Sequence, residues 1–170
     1  MLRDVMRSAG VVQYGDFVLA SGRKSNYYVN VKKAYTDPDI LREIAKEISK
    51  HIGDEKIAGM ALGAVPIVVA VSLETGNSFV IIRKDKKEHG TQEKLEGDVR
   101  KGDRYVVVED VATTGASALR VAELLREKQA EVVRVITVVD REEGARELLE
   151  QKGLEMRSLF TAKELVRYPQ

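Results

Sequence analysis

From residue 37 onward, apolar runs alternate with amphipathic stretches along this 170-residue chain. The runs at 56–62, 78–82, 105–108 and 132–139 are largely apolar, as expected of strands buried on both faces. A last strand is expected at 154–159. Between the runs, 66–74, 118–128 and 142–152 read as helices. One more helix opens at Asp37-Pro38, with Asp as N-cap, Pro in the first turn, and Ile40, Leu41, Ile44, Ala45 and Ile48 at helical spacing. Strand–helix alternation of this kind predicts an α/β fold with a central parallel sheet flanked by helices, whose ligands lie at the carboxyl ends of the strands.

The first 36 residues have a different rhythm. A helix is expected over 1–12, from Leu2, Val5, Met6 and Ala9, followed by short strands at 17–19 and 27–31 around the polar turn 21–25. The expected organisation is one domain over residues 1–170. A small N-terminal hood (about 1–36, with a C-terminal segment) sits over a core at about 37–153, and a long flexible loop covers 83–104.

Composition narrows the function class. Apolar residues make up 44% and charged residues 32% of the chain, a globular balance. A formal charge of +1 gives no general case for nucleic-acid binding. With no Cys, thiolate metal sites and a Cys nucleophile are excluded. No apolar stretch approaches the roughly 18 residues that span a membrane, and residues 1–13 hold no signal-peptide core. A soluble, cytoplasmic protein without nucleic-acid or membrane partners is expected.

The chemistry concentrates at 106–117. An apolar strand is expected to end in Glu109 and Asp110. It then turns through Val111, Ala112, Thr113, Thr114, Gly115, Ala116 and Ser117 into a helix. Small and hydroxyl-bearing residues ahead of a helix N-terminus can hold a phosphate on free amides, and paired carboxylates beside it can grip a polyol or a Mg²⁺-bound sugar. The plainer alternative is that Asp110 and Thr113 merely cap the helix. Neither G-x-x-x-x-G-K-[ST] nor G-x-G-x-x-G occurs. Two acids followed by Thr-x-Gly-x-Ser resemble the phosphoribosyl-pyrophosphate motif of the type I phosphoribosyltransferases. The resemblance implies that Glu109 and Asp110 contact ribose hydroxyls while Ala112 to Ser117 wrap a 5′-phosphate. It also implies Mg²⁺ carried in by the substrate near the two acids, with no dedicated protein metal site.

The 22 residues from Arg83 to Arg104 lack sustained periodicity and open with a basic run. Such a run is either a solvated, salt-bridged loop or a cover for an anionic group. Arg83-Lys84-x-x-Lys87-x-His89-Gly90 resembles the loop signature of the orotate phosphoribosyltransferase family. On that resemblance Arg83, Lys84, Lys87 and His89 bind phosphoribosyl pyrophosphate. Lys87 and His89 assist the leaving pyrophosphate, Asp110 completes the catalytic set, and the loop serves the neighbouring subunit of a homodimer.

Ser21-Gly22-Arg23-Lys24-Ser25-Asn26-Tyr27-Tyr28 is also similar to that family. Tyr28 is the better candidate to contact a flat base. Arg141, just past a strand end, can pair with a carboxylate, or else form a local ion pair with Glu142 or Glu143. By resemblance, Thr113 and Arg141 fall where orotate binds. Two positions depart from the bacterial pattern of lysines, Ala20 and Leu62-Gly63. The reaction implied is orotate plus phosphoribosyl pyrophosphate giving orotidine 5′-phosphate and pyrophosphate. The alternatives are a regulator that senses phosphoribosyl pyrophosphate and a relative acting on another base.

Overall fold

The computed structural model describes residues 1–18, 22–84 and 94–166. Helix α1 (Leu2–Ser8) leads into a hairpin of β1 (Val12–Val18) and β2 (Lys24–Val29), paired antiparallel with an irregularity between Tyr14 and Phe17. A short α2 (Lys32–Tyr35) follows. Then come α3 (Pro38–Ser49), β3 (Lys56–Met60), α4 (Val65–Thr75), β4 (Phe79–Ile82), β5 (Leu95–Glu96) and β6 (Arg104–Ala112). The chain continues through α5 (Ala116–Glu127), β7 (Glu131–Asp140), α6 (Ala145–Gln151), β8 (Glu155–Thr161) and α7 (Ala162–Leu165).

Among the described residues, β3 to β8 form one sheet in the order β5-β4-β3-β6-β7-β8, parallel except for β5. The chain winds outward from β3 to β4 on one side and from β6 through β7 to β8 on the other. The crevice between the carboxyl ends of β3 and β6 is therefore the point where strand order reverses, the preferred ligand position in such sheets.

Alternation along the strands builds two cores. Val106 and Val108 of β6 point to the face covered by α1, α3 and α4, with Ile44, Ile48, Ile67 and Val68. Tyr105 and Val107 point to the face covered by α5 and α6, with Val121, Leu125 and Leu149. The start of α3 is set as the sequence predicts, because the Asp37 carboxylate accepts from the amides of Asp39 and Ile40 at 2.9 and 3.2 Å. At the opposite end of the chain, Thr161 and Glu164 form a reciprocal capping box on α7. Glu164 also pairs with Arg3 of α1 at 2.8 Å.

Several elements differ from expectation. The first helix stops at Ser8, with Gly10 at φ 69, and β1 starts by Val12. The α6 helix starts only at Ala145, after Gly144 at φ 102. The segment 83–104 is not one loop. Leu95 and Glu96 pair with Ile82 and Ile81, and Leu95 is buried in the second core. The correction that matters most is at β6. Its pairing with β7 continues through Glu109↔Thr137, Val111↔Val139 and Ala112↔Asp140, so the two acids lie within the strand and not beyond its end. The long, apolar β7 supplies ladder partners that a local reading of polarity at Glu109 does not register. No described helix is long and apolar enough to cross a membrane.

Candidate active site

Glu109 and Asp110 are successive strand residues whose carboxyl groups still meet within hydrogen-bond reach, while each borders a different space. Glu109 follows the side of Tyr105 and Val107. It lines a cleft of about 190 Å³ together with Val111, Ala112, Thr113, Thr114, Gly115, Ala116, Ser117 and Ala118. Asp110 follows the side of Val106 and Val108. It lines a second cavity of about 180 Å³ with Tyr28, Val29, Asn30, Val31, Lys32, Val111, Thr113 and Arg141. Val111 and Thr113 border both spaces, so the two cavities meet across the end of β6.

The first cleft has the features of an anion cradle. Gly115 is the N-cap of α5 at φ 80, and among the described residues the only side chain on the first-turn amides is the Thr114 hydroxyl, which takes the Ala116 amide loosely at 3.5 Å. The amides of its first turn are thus available to a ligand, and the dipole of this 12-residue helix favours negative charge there. Gly115 is required twice over. Its φ suits glycine, and a Cβ would lie 3.1 Å from the backbone of Ala145. The capping alternative for Asp110 and Thr113 is not what forms. Asp110 Oδ1 instead accepts from its neighbour Val111 N at 2.9 Å.

Glu109 is buried, and its carboxyl is held well above the usual value of 4.5, first by desolvation and then by the negative Asp110 beside it. A cation or hydroxyl donors arriving in the cleft would favour its ionised form. Tyr35 of α2 is likewise buried. Its hydroxyl is raised above its ordinary value by desolvation and then by Asp110, which places this tyrosine in the electrostatic neighbourhood of the same carboxylate. The loop after β3 closes on Asp110 from the other side of the crevice. A Cβ at Gly63 would stand 2.6 Å from Asp110 Oδ2. The backbone of Gly63 packs directly against the acid.

Arg141 borders the second cavity with its side chain only 4% exposed. Its amide donates to Ala112 O at 2.9 Å, fixing the start of the β7–α6 connection. Of the two sequence alternatives, the local ion pair is the one that forms, with Glu143. The guanidinium lies at the cavity, and its Nε is also 2.8 Å from Glu143 Oε1. Tyr27 sits beneath it, with Cζ 5.3 Å from the ring centroid, and packs on the first core. Tyr28 is 42% exposed at the cavity rim and leans on Phe17, with ring centroids 5.6 Å apart.

Of the basic run, Arg83 is tied down. Its amide donates to Lys94 O at 2.6 Å, and its Nε is 2.9 Å from Glu96 Oε1, so it serves as a strut at the root of the excursion. Lys84 is exposed. Lys87, His89 and Ala20 lie outside the described residues. Sequence reasoning assigned no site role to Asn30, Lys32, Tyr35 or Glu143. Only Glu143, named as an ion-pair candidate for Arg141, carried a signal. The others come from α2 and its approach, which have no periodicity to read.

Comparison with known proteins agrees with this geometry. Residues 31–156 match the phosphoribosyl transferase domain. The orotate phosphoribosyltransferase of Natronomonas pharaonis is 51% identical over 97% of this chain and 95% of its own length. The crystal structure of orotate phosphoribosyltransferase from Aeropyrum pernix superposes with a TM-score of 0.85 at 36% identity, covering 97% of this chain and 96% of that one. The Mycobacterium tuberculosis enzyme, solved in complex with 5-phospho-alpha-D-ribosyl 1-diphosphate, gives a TM-score of 0.77 at 32% identity, with 96% of each chain covered. The domain match and the similarity over nearly the whole chain place it in the phosphoribosyltransferase family, among the orotate phosphoribosyltransferases.

Proposed function

We propose that this protein transfers the ribose 5-phosphate of 5-phosphoribosyl 1-pyrophosphate to orotate, releasing orotidine 5′-phosphate and pyrophosphate. The observation that carries the reading is the pair of cavities sharing Val111 and Thr113 across the end of β6, one suited to a phosphate and the other holding a buried arginine. In this assignment the residues from Ala112 to Ser117 take the 5′-phosphate on free amides and hydroxyls. Glu109 and Asp110 accept from the ribose hydroxyls. Arg141, Thr113 and the Tyr28 ring take the base, with the guanidinium on its carboxylate. Lys84, Lys87 and His89 engage the pyrophosphate by family resemblance, and Arg83 supports them from the root of the loop.

The donor set suits Mg²⁺ brought by the substrate. Among the described residues no group of three or more His, Cys, Asp or Glu could enclose a metal. Glu109 and Asp110 are the acids at the cleft, which is how Mg²⁺ is commonly held between phosphates and one or two carboxylates. When bound, it would neutralise charge on the leaving pyrophosphate. The protein supplies orientation of the two reactants and electrostatic stabilisation as positive charge develops at the anomeric carbon. No covalent nucleophile is assigned.

A single domain, a homodimer whose basic loop serves the neighbouring site, and a cytoplasmic setting complete the reading. The test is an ultraviolet assay with phosphoribosyl pyrophosphate and Mg²⁺, with orotate, adenine, uracil and nicotinate offered in parallel. Turnover is expected with orotate. Preferred turnover of another base, or none, would overturn the assignment.

A further inference from the structure

The mechanism above gives Glu143 no task, yet this nearly buried carboxylate stands between two guanidinium groups. Its Oε1 lies 2.8 Å from Nε of Arg141, and its Oε2 accepts a 2.7 Å hydrogen bond from Nη2 of Arg23. Three separate pieces of chain meet at this point. Arg23 comes from the turn ahead of β2, Arg141 directly follows β7, and Glu143 lies in the connection to α6. The two cations differ in setting. The Arg141 side chain is 4% exposed and that of Arg23 is 63% exposed.

Two sides of the Arg141 guanidinium are therefore occupied. Tyr27 covers a face at 5.3 Å, and Glu143 stands at the Nε side as an ion pair at 2.8 Å, without hydrogen-bond alignment. The terminal amino groups make no hydrogen bond to another described residue, while Arg141 borders the cavity with Asp110, Thr113 and Tyr28. A guanidinium held this way has its parallel N–H pair left to receive a planar carboxylate.

Charge adds a second requirement. Glu143 alone would neutralise Arg141, and a neutral pair has little pull on an anion. Arg23 takes the other carboxylate oxygen, so the three groups together keep one net positive charge beside the cavity.

We propose that Glu143 is a positioning residue for base selection. It sets the Arg141 guanidinium to receive an anionic pyrimidine, and Arg23 restores the positive charge that Glu143 would otherwise cancel. The inference rests on the reading in which Arg141 takes the orotate carboxylate.

Steady-state kinetics of Glu143→Gln, Arg23→Ala, Arg141→Ala and the Glu143→Gln/Arg141→Ala pair test it. Glutamine keeps the shape, but its NH₂ must face one of the two arginines as donor against donor. Loss of a group that orients a binding side chain costs on the order of tenfold, so E143Q should raise the orotate KM by about that factor. Its kcat and its KM for phosphoribosyl pyrophosphate should stay close to the parent values. The exposed Arg23 is screened, so R23A should raise the orotate KM only about threefold. In the R141A background E143Q should have no further effect, because Glu143 acts through Arg141.

If R141A raises the orotate KM while E143Q and R23A do not, this inference falls and the functional reading stands. Equal losses from E143Q for both substrates, or an undiminished effect in the R141A background, would reduce Glu143 to a structural strut and also overturn it. An unchanged orotate KM in R141A sinks both. Should E143Q fold poorly by its melting temperature, R23A, on the exposed arm, decides alone.

Discussion

Gly63→Ala should cut activity by about one to two orders of magnitude without unfolding the protein. An alanine Cβ at this position would stand 2.6 Å from Oδ2 of Asp110 and 2.9 Å from both Cγ and Oδ1. Recovering the 3.4 Å of ordinary van der Waals contact requires about 0.8 Å of retreat by the carboxylate or the loop. The Asp110 side chain is short, partly exposed and held by one 2.9 Å hydrogen bond from Val111 N, so it is the group that gives way. A misplacement near 1 Å at a reacting centre costs about a hundredfold in rate. A loss of kcat/KM for phosphoribosyl pyrophosphate between about tenfold and a hundredfold is expected. Gly59→Ala is the internal control. Its Cβ would drive into Val68 Cγ2 at 2.7 Å and Ala64 Cβ at 2.9 Å, inside the core. Overpacking there costs about 1–3 kcal/mol, or roughly 2–4 °C of Tm per kcal/mol for a chain of this size. Kinetics and thermal melts on both variants separate the effects. Parent-like kcat/KM in G63A would refute a role for Asp110 at the sugar. A Tm loss in G63A as large as in G59A would mean that the loop, not the acid, was disturbed.

Three more outcomes follow from the site. Arg141→Ala removes a charge-assisted contact of about 1.5–3 kcal/mol, so the orotate KM should rise between about ten- and a hundredfold; a change confined to the other substrate would contradict the assignment. Asp110→Asn should weaken phosphoribosyl pyrophosphate in calorimetric titrations, and equal affinity would remove its contact with ribose. The raised Glu109 carboxyl binds its proton more tightly folded than unfolded. Ligand-free stability is therefore lost as pH rises from the ordinary value of 4.5 toward the folded one, by about 1.4 kcal/mol per unit of difference. Glu109→Gln removes that loss, so its Tm advantage over the parent should grow between pH 5 and pH 8; an advantage independent of pH would mean that Glu109 ionises freely.

The parallel sheet and α3 were legible because they rest on signals that local sequence carries: apolar runs, helical spacing and an Asp-Pro start. The candidate anion loop at 112–117 was legible because Thr-Thr-Gly-Ala-Ser has little other reason to follow two acids. What escaped depends on partners distant in sequence. The extension of β6 through Ala112 is fixed by β7, with Glu109 opposite Thr137. Two-residue β5 exists because Leu95 finds the second core and the edge of β4. Tyr35 and Lys32 reach the site through α2, four residues long, which is too short to show a period. Gly63 was noted only as a missing lysine; its close approach to Asp110 requires both strands of the crevice to be placed.

The extension of β6 also changes what the acid pair can do. Two carboxylates beyond a strand end would be free to converge on one ligand group. Inside the strand the two carboxyl groups still meet, yet each borders a space with a different chemistry. Glu109 shares its side with the α5 amides, and Asp110 shares its side with Arg141 and the hood. On the proposed reading, the sugar lies across the end of β6. Its 5′-phosphate faces α5, and its anomeric carbon faces the cavity bordered by Asp110 and Arg141. The different environments then have a use. The raised Glu109 carboxyl favours its protonated form until hydroxyl donors or a cation arrive, while Asp110 is held by the Val111 amide. Proton release on binding phosphoribosyl pyrophosphate, read by calorimetry in buffers of different ionisation enthalpy, should therefore vanish in Glu109→Gln and persist in Asp110→Asn. Release that follows Asp110 instead would reverse this division of labour.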